Sequence, residues 1–158
     1  MNSVLRDARR GDSERVADVY LKSRRTFLDY AAMAHSEAEV RRWVATKLIP
    51  SGGVTVAIVD DQIMGMLATS RKESVSWIDQ LYLLPGVVGR GIGSRLLELA
   101  IAALPAPICL YTFQQNSGSR RFYERHGFRA IAFGDGSGIE ERCPDVLYEF
   151  RGETRAAR

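Results

Sequence analysis

The sequence predicts a mixed α/β fold: a twisted, mostly antiparallel sheet of six or seven strands with helices on both faces. Three observations predict it. Apolar residues recur at helical spacing over residues 13–48, change to strand-like alternation over 54–85, and return to helical spacing after residue 91. Paired polar residues, Asp60-Asp61 and Lys72-Glu73, punctuate the middle stretch as turns. A run holding Gly89, Gly91 and Gly93 then joins a hydrophobic strand directly to an amphipathic helix.

The elements follow in order. Residues 3–7 form a short apolar edge strand. Asp12 is placed to cap a helix whose apolar face is Val16, Val19, Tyr20 and Phe27. Ser36 with Glu39 fits a capping box, and Val40, Trp43, Val44 and Leu48 carry the next helical face until Pro50-Ser51-Gly52-Gly53 ends it. The intervening Tyr30–His35 reads as a loop. VTVAIVD, QIMGMLATSR and SVSWIDQLYLLP read as three strands. Ile92, Leu96, Leu97, Ala100 and Leu104 describe a helix packed on the sheet, stopped by Pro105 and Pro107. PICLYTF is a buried strand, Ser117 to His126 a helix ended by Gly127, and FRAIAF and DVLYEF the last two strands. GDGSGIEERCP between those strands is an acidic, glycine-rich loop.

Bulk properties exclude several function classes. A chain of 158 residues fits one domain, assigned to 1–151, with 152–158 expected as a frayed tail. A net charge of +3 suits anionic small molecules but is too small and dispersed for nucleic acid. The arginine pairs at 9–10, 24–25, 41–42 and 120–121 have acids between them and read mostly as solvated helix faces. Cys109 and Cys143 form neither a disulfide framework nor a zinc pattern, and Cys109 in ICLY reads as a small buried hydrophobe. The N-terminal residues lack the apolar region of a signal peptide, and no apolar run reaches the ~20 residues of a membrane span. The expected location is the cytoplasm, with no membrane partner.

Glycine-rich turns at helix starts expose successive backbone N–H groups that can grip a pyrophosphate. Two familiar versions fail here. A P-loop needs Lys then Ser or Thr after its last glycine, whereas Gly93 precedes Ser94-Arg95. A dinucleotide fingerprint starting at Gly89 needs Gly or Ala at Ser94 and an acid roughly 20 residues on, where the chain reads LYTFQQN. A turn that merely allows close helix–strand packing is the remaining alternative. In the second motif, Asn116, Ser119 and Tyr123 lie three and four residues apart along one side of a helix. From periodicity alone, Asn116 is a helix cap and Tyr123 could equally be core.

Together the two motifs resemble the GNAT superfamily of N-acetyltransferases. The run Val88-Gly89-Arg90-Gly91-Ile92-Gly93, continuing to Ser94, matches its pyrophosphate turn except at Val88, where a polar residue is usual. The resemblance implies backbone contacts from Leu81 and Leu83 to a pantetheine arm, Asn116 and Ser119 against the same cofactor, and Tyr123 near its sulfur. A phenol with a pKa of ~10 can donate a proton or hydrogen bond to the departing thiolate. His126, in the last helical turn, is the poorer candidate. A backbone N–H near Leu83 would stabilise the oxyanion. Asp79, a carboxylate in an otherwise apolar strand and alternating with Trp77, Leu81 and Leu83, is the candidate proton acceptor; an outward register is the alternative. The implied activity is transfer of an acetyl group from acetyl-CoA, as cosubstrate, to a small-molecule or peptide amine, with no metal. The rival reading is a non-catalytic acyl-CoA-binding or regulatory module. The acids Asp135, Glu140 and Glu141 suggest a cationic acceptor. A homodimer is left open.

Overall fold

The computed structural model describes residues 2–152. Its strands are β1 (Val4–Asp7), β2 (Val54–Val59), β3 (Gln62–Lys72), β4 (Val75–Leu83), β5 (Ile108–Phe113), β6 (Arg129–Gly134) and β7 (Asp145–Phe150). Its α-helices are α1 (Ser13–Phe27), α2 (Glu37–Trp43), α3 (Ile92–Ala103) and α4 (Ser117–Arg125). The strands form one open sheet in the order β1-β2-β3-β4-β5-β7-β6. All neighbours are antiparallel except β4 and β5, which are parallel and therefore need the crossover that α3 supplies.

Local chemistry explains most boundaries. Asp60 and Asp61 take φ of 51° and 62° in the β2–β3 turn, a left-handed pair that matches hairpin twist. The Ser36 side chain accepts from the Glu39 N–H at 3.1 Å while the Glu39 carboxylate accepts from the Ser36 N–H at 2.8 Å, so the capping box forms as expected. Beyond Trp43 the helix widens into a π segment, Val44–Leu48. Gly127, at φ 92°, ends α4.

Asp12 departs from its expected role. Arg10–Asp12 form a 3₁₀ turn running straight into α1, so the Asp12 backbone is already helical and its carboxylate turns backwards. It accepts from the Arg9 N–H at 2.7 Å and pairs with Arg6 at 2.8 Å. The Arg6 guanidinium holds the Asp12 carboxyl below the usual carboxylate range.

Helices cover both faces of the sheet. On one, Val16, Val19 and Leu21 of α1 and Val40 and Val44 pack on Val54, Val56 and Met66. On the other, Ile92, Leu96, Leu97 and Ala100 of α3 and Tyr123 of α4 pack on Leu67, Ile78, Ile108 and Tyr148. Burying each large aliphatic side chain contributes about 1.5–3 kcal/mol. Cys109 is buried, as its apolar run suggested. Among the described residues no helix is long and apolar enough to cross a membrane. Of the tail expected to fray, residues 153–158 lie outside the described residues.

Candidate active-site cleft

The cleft originates where β4 and β5 part. Among the described residues the two strands pair only at Ser76–Ile108 and Trp77–Cys109, then diverge, so the rest of β4 keeps β3 on one edge and has no strand on the other. The Leu84 N–H donates to Met64 O on the β3 side at 2.8 Å. Strand alternation then turns the backbone groups of Leu83 and Leu81 towards the open edge. The opening holds a cleft of about 1170 Å³, with Leu81 and Leu83 in its wall.

The glycine turn forms one end. Gly89 and Gly91 have φ of 83° and 85°, a region that side chains other than glycine's rarely enter, and a Cβ at either would meet nothing within 4 Å. Gly91 is the N-cap of α3 and supplies no side-chain cap. The first N–H groups of a 12-residue helix therefore face the cleft beside Gly93 and Ser94, a fit for a pyrophosphate. Val88 and Gly89 line the cleft as well. Arg90 is exposed and does not belong to the cleft wall.

Helix α4 lines the cleft as well and is capped differently. Asn116 Oδ1 accepts from the Ser119 N–H at 3.2 Å, which leaves the Asn116 amide NH₂ as the group available to a ligand. Asn116, Ser119 and Tyr123 all reach the cleft. The Tyr123 ring packs among Phe122, Phe128 and Tyr148, and burial pushes its phenol well above its ordinary range. It is thus both a core residue and a cleft residue. His126 Nδ1 lies 2.9 Å from Phe122 O at the helix C-terminus, consistent with its plainer assignment.

Asp79 lines the cleft, but not by the alternation expected for it. Thr69 pairs with Ile78 and Ala68 with Gln80, so Asp79 is the extra residue of a β-bulge. The bulge shifts the phase of the strand: Ile78, Leu81 and Leu83 join the α3 side, while Tyr82 and Leu84 join the α1 side. Asp79 therefore does not share one regular face with Leu81 and Leu83. Although it is solvent-accessible, desolvation raises its carboxyl above the ordinary range, against opposing pulls from the Ser70 hydroxyl and Lys72.

One residue at the far end of the cleft was not foreseen. Arg24, read as part of a solvated helix face, is only 6% exposed and lines the cleft. Its Nη1 donates to the Tyr82 hydroxyl at 3.1 Å, and its guanidinium lies 5.6 Å from the Tyr20 ring centre. Helical spacing held the clue, since Arg24 follows Val16 and Tyr20 at intervals of four on the buried face. The acidic loop also reaches this end, and each of its acids has a polar neighbour. Asp135 accepts from Ser137 at 2.9 Å, Glu140 lies 3.2 Å from His35, and Glu141 faces Arg24 at 3.9 Å.

Comparison with known proteins agrees with this geometry. The family model described as "Acetyltransferase (GNAT) family" matches residues 16–128. An uncharacterized N-acetyltransferase of Archaeoglobus fulgidus is 29% identical over 148 residues, covering 86% of this chain and 99% of the relative. The peptidyl-lysine N-acetyltransferase YjaB of Salmonella typhimurium is 26% identical over 126 residues, covering 79% and 82%. The structure of the PaiA N-acetyltransferase of Thermoplasma acidophilum in complex with coenzyme A superposes with a TM-score of 0.70 at 21% identity, covering 96% of this chain and all of that one.

Proposed function

Given that this chain belongs to the GNAT family of N-acetyltransferases, we propose that it moves the acetyl group of acetyl-CoA to a primary amine by direct attack within a ternary complex. The divergence of β4 from β5 is the observation that carries the reading. It leaves an unpaired strand edge inside a long cleft, with an uncapped helix N-terminus at one end and Tyr123 in the wall. An extended amide-bearing arm can add to that edge as a strand does, while its pyrophosphate takes the N–H groups at Gly91–Ser94.

The chemistry follows from the residues around the edge. The amine, with a pKa of ~10.4, must shed a proton to attack. Asp79 accepts it directly or through a water; its raised pKa makes it a better base than an ordinary carboxylate. The nitrogen lone pair forms the new C–N bond, and a backbone N–H near Leu83 stabilises the oxyanion. Collapse breaks the C–S bond and expels the thiolate. The Tyr123 phenol, raised by burial, stays protonated at neutral pH. A thiol ionises at about 8.5, below a phenol, so Tyr123 contributes a hydrogen bond to the developing thiolate rather than a full proton.

A thiol-release assay with acetyl-CoA and an amine panel tests the proposal, alongside calorimetry with CoA and with NAD. Release of CoA dependent on an added amine supports it. CoA binding without release for any amine would select the non-catalytic acyl-CoA-binding module instead, and NAD binding in preference to CoA would overturn both.

A further inference from the structure

The acceptor side of the cleft is lined by a buried arginine that keeps an unspent hydrogen-bond donor. Arg24 is only 6% exposed, and among the described residues nothing accepts from its Nε. Glu141 stands 3.9 Å from its Nη2, close enough to offset charge and too far for a hydrogen bond. The Tyr82 hydroxyl accepts from Arg24, which leaves its own proton to give. Buried donors of this kind are costly unless something accepts from them.

We infer that Arg24, with Tyr82, binds a carboxylate of the acceptor, so that the acceptor is a small amino carboxylate such as a free amino acid. The inference rests on the amine-acetylation reading above and names its substrate class. A planar monoanion matches the guanidinium fork. A dianionic phosphate would also meet Glu141 and Asp145, which line the same cleft, so a single negative charge fits better. Reach sets the size of the molecule. Tyr82 directly precedes Leu83, whose backbone N–H the reading above gives to the oxyanion, and its hydroxyl touches Arg24. One side chain thus separates the strand backbone at the reacting carbon from the carboxylate site, a span that suits an amine and a carboxylate a few bonds apart. Phe27, Leu28 and Ile139 provide an apolar wall for the remaining substituent. A lysine side chain within a peptide would bring its amine without any carboxylate.

The test compares acids with their amides. Wild-type protein, saturated with acetyl-CoA, is assayed for thiol release with leucine against leucinamide, phenylalanine against phenylalaninamide, and a terminally blocked lysine peptide. Intrinsic reactivity favours the amides, whose amines are weaker bases and less protonated at neutral pH. A kcat/KM higher for the acids, by roughly ten- to a hundredfold as a charge-assisted pair implies, therefore reports recognition. Arg24→Gln should collapse the acid-to-amide ratio towards one, Arg24→Lys should restore part of it, and Glu141→Gln should lower KM for the acids. Amides or the lysine peptide turning over as well as the acids in wild type would overturn the assignment. So would an Arg24→Gln ratio that stays at the wild-type value. If Arg24→Gln does not fold, competition by 4-methylpentanoate against its amide in wild type decides: stronger inhibition by the acid supports the site, and equal inhibition refutes it. If no acceptor releases thiol, the transfer reading fails on its own. Calorimetry of acid against amide on the CoA-loaded protein then decides the carboxylate site separately, tighter acid supporting it and equal affinity refuting it.

Discussion

Gly91→Asp separates what the glycine turn does for the fold from what it does for the ligand. Gly91 holds φ 85° at the N-cap of α3, and a Cβ there would meet no protein atom within 4 Å. The fold therefore loses only the left-handed strain of a side chain, about 1–2 kcal/mol. An acidic group at a helix N-terminus returns about 0.3–1 kcal/mol of that. A net loss of about 1 kcal/mol lowers Tm by about 2–4 °C in a chain of this size. The ligand faces a larger penalty, because the open space entered by the new carboxylate is the space assigned to the pyrophosphate. Two like unit charges about 4 Å apart repel by about 4 kcal/mol at an effective dielectric constant of 20. Half of that, about 2 kcal/mol after screening and side-chain movement, weakens binding roughly thirtyfold. Calorimetry with CoA, run beside a thermal melt, reads both effects. Gly91→Ala serves as the control, carrying the strain without the charge, and should change Kd by only a few fold. If Gly91→Asp melts within a few degrees of wild type and binds CoA with wild-type affinity, the pyrophosphate does not lie on this turn.

Three further expectations follow from the geometry. Tyr123→Phe keeps the ring among Phe122, Phe128 and Tyr148 but removes the donor, so kcat should fall by roughly ten- to ten-thousandfold with CoA affinity little changed; unchanged kcat would leave Tyr123 a core residue only. Desolvation raises Asp79, so between about 3.9 and its higher folded pKa the native state binds more protons and stability falls as pH rises. Asp79→Asn should accordingly raise Tm at pH 7 but not at pH 3, and should lower kcat/KM most near neutrality, with the loss shrinking at high pH as the amine deprotonates unaided; a uniform rate loss at every pH would argue against a base. Ser36→Ala removes the acceptor for the Glu39 N–H and should cost about 1 kcal/mol, read as a Tm lower by about 2–4 °C; an unchanged melt would mean that the box contributes nothing to stability.

Order and type of the elements were legible in the sequence because they depend on neighbours a few residues apart. A polar turn, a capping box or a change of hydrophobic period is complete within one short window. Asp60-Asp61, Ser36 with Glu39, and Gly127 each did locally what their chemistry required. The glycine turn and the Asn116–Tyr123 stripe belong to the same class, since each lies on a single element whose geometry repeats.

Only the tertiary structure decided which groups meet. The bulge that shifts β4 by one residue appears only in the pairing of Ala68 and Thr69 with Gln80 and Ile78, and it removed Asp79 from the regular face that simple alternation gave it. Asp12 was diverted from capping α1 because a 3₁₀ turn runs into that helix and Arg6, on another element, pairs with its carboxylate. Arg24 looked like surface charge from its neighbour Arg25, yet α1 turns it towards Tyr82, 58 residues away in sequence. The cleft itself exists because β4 and β5 separate after two paired residues. Spacing along the chain specifies a helix or a strand, whereas burial, bulges and strand divergence depend on what the rest of the molecule packs against each side.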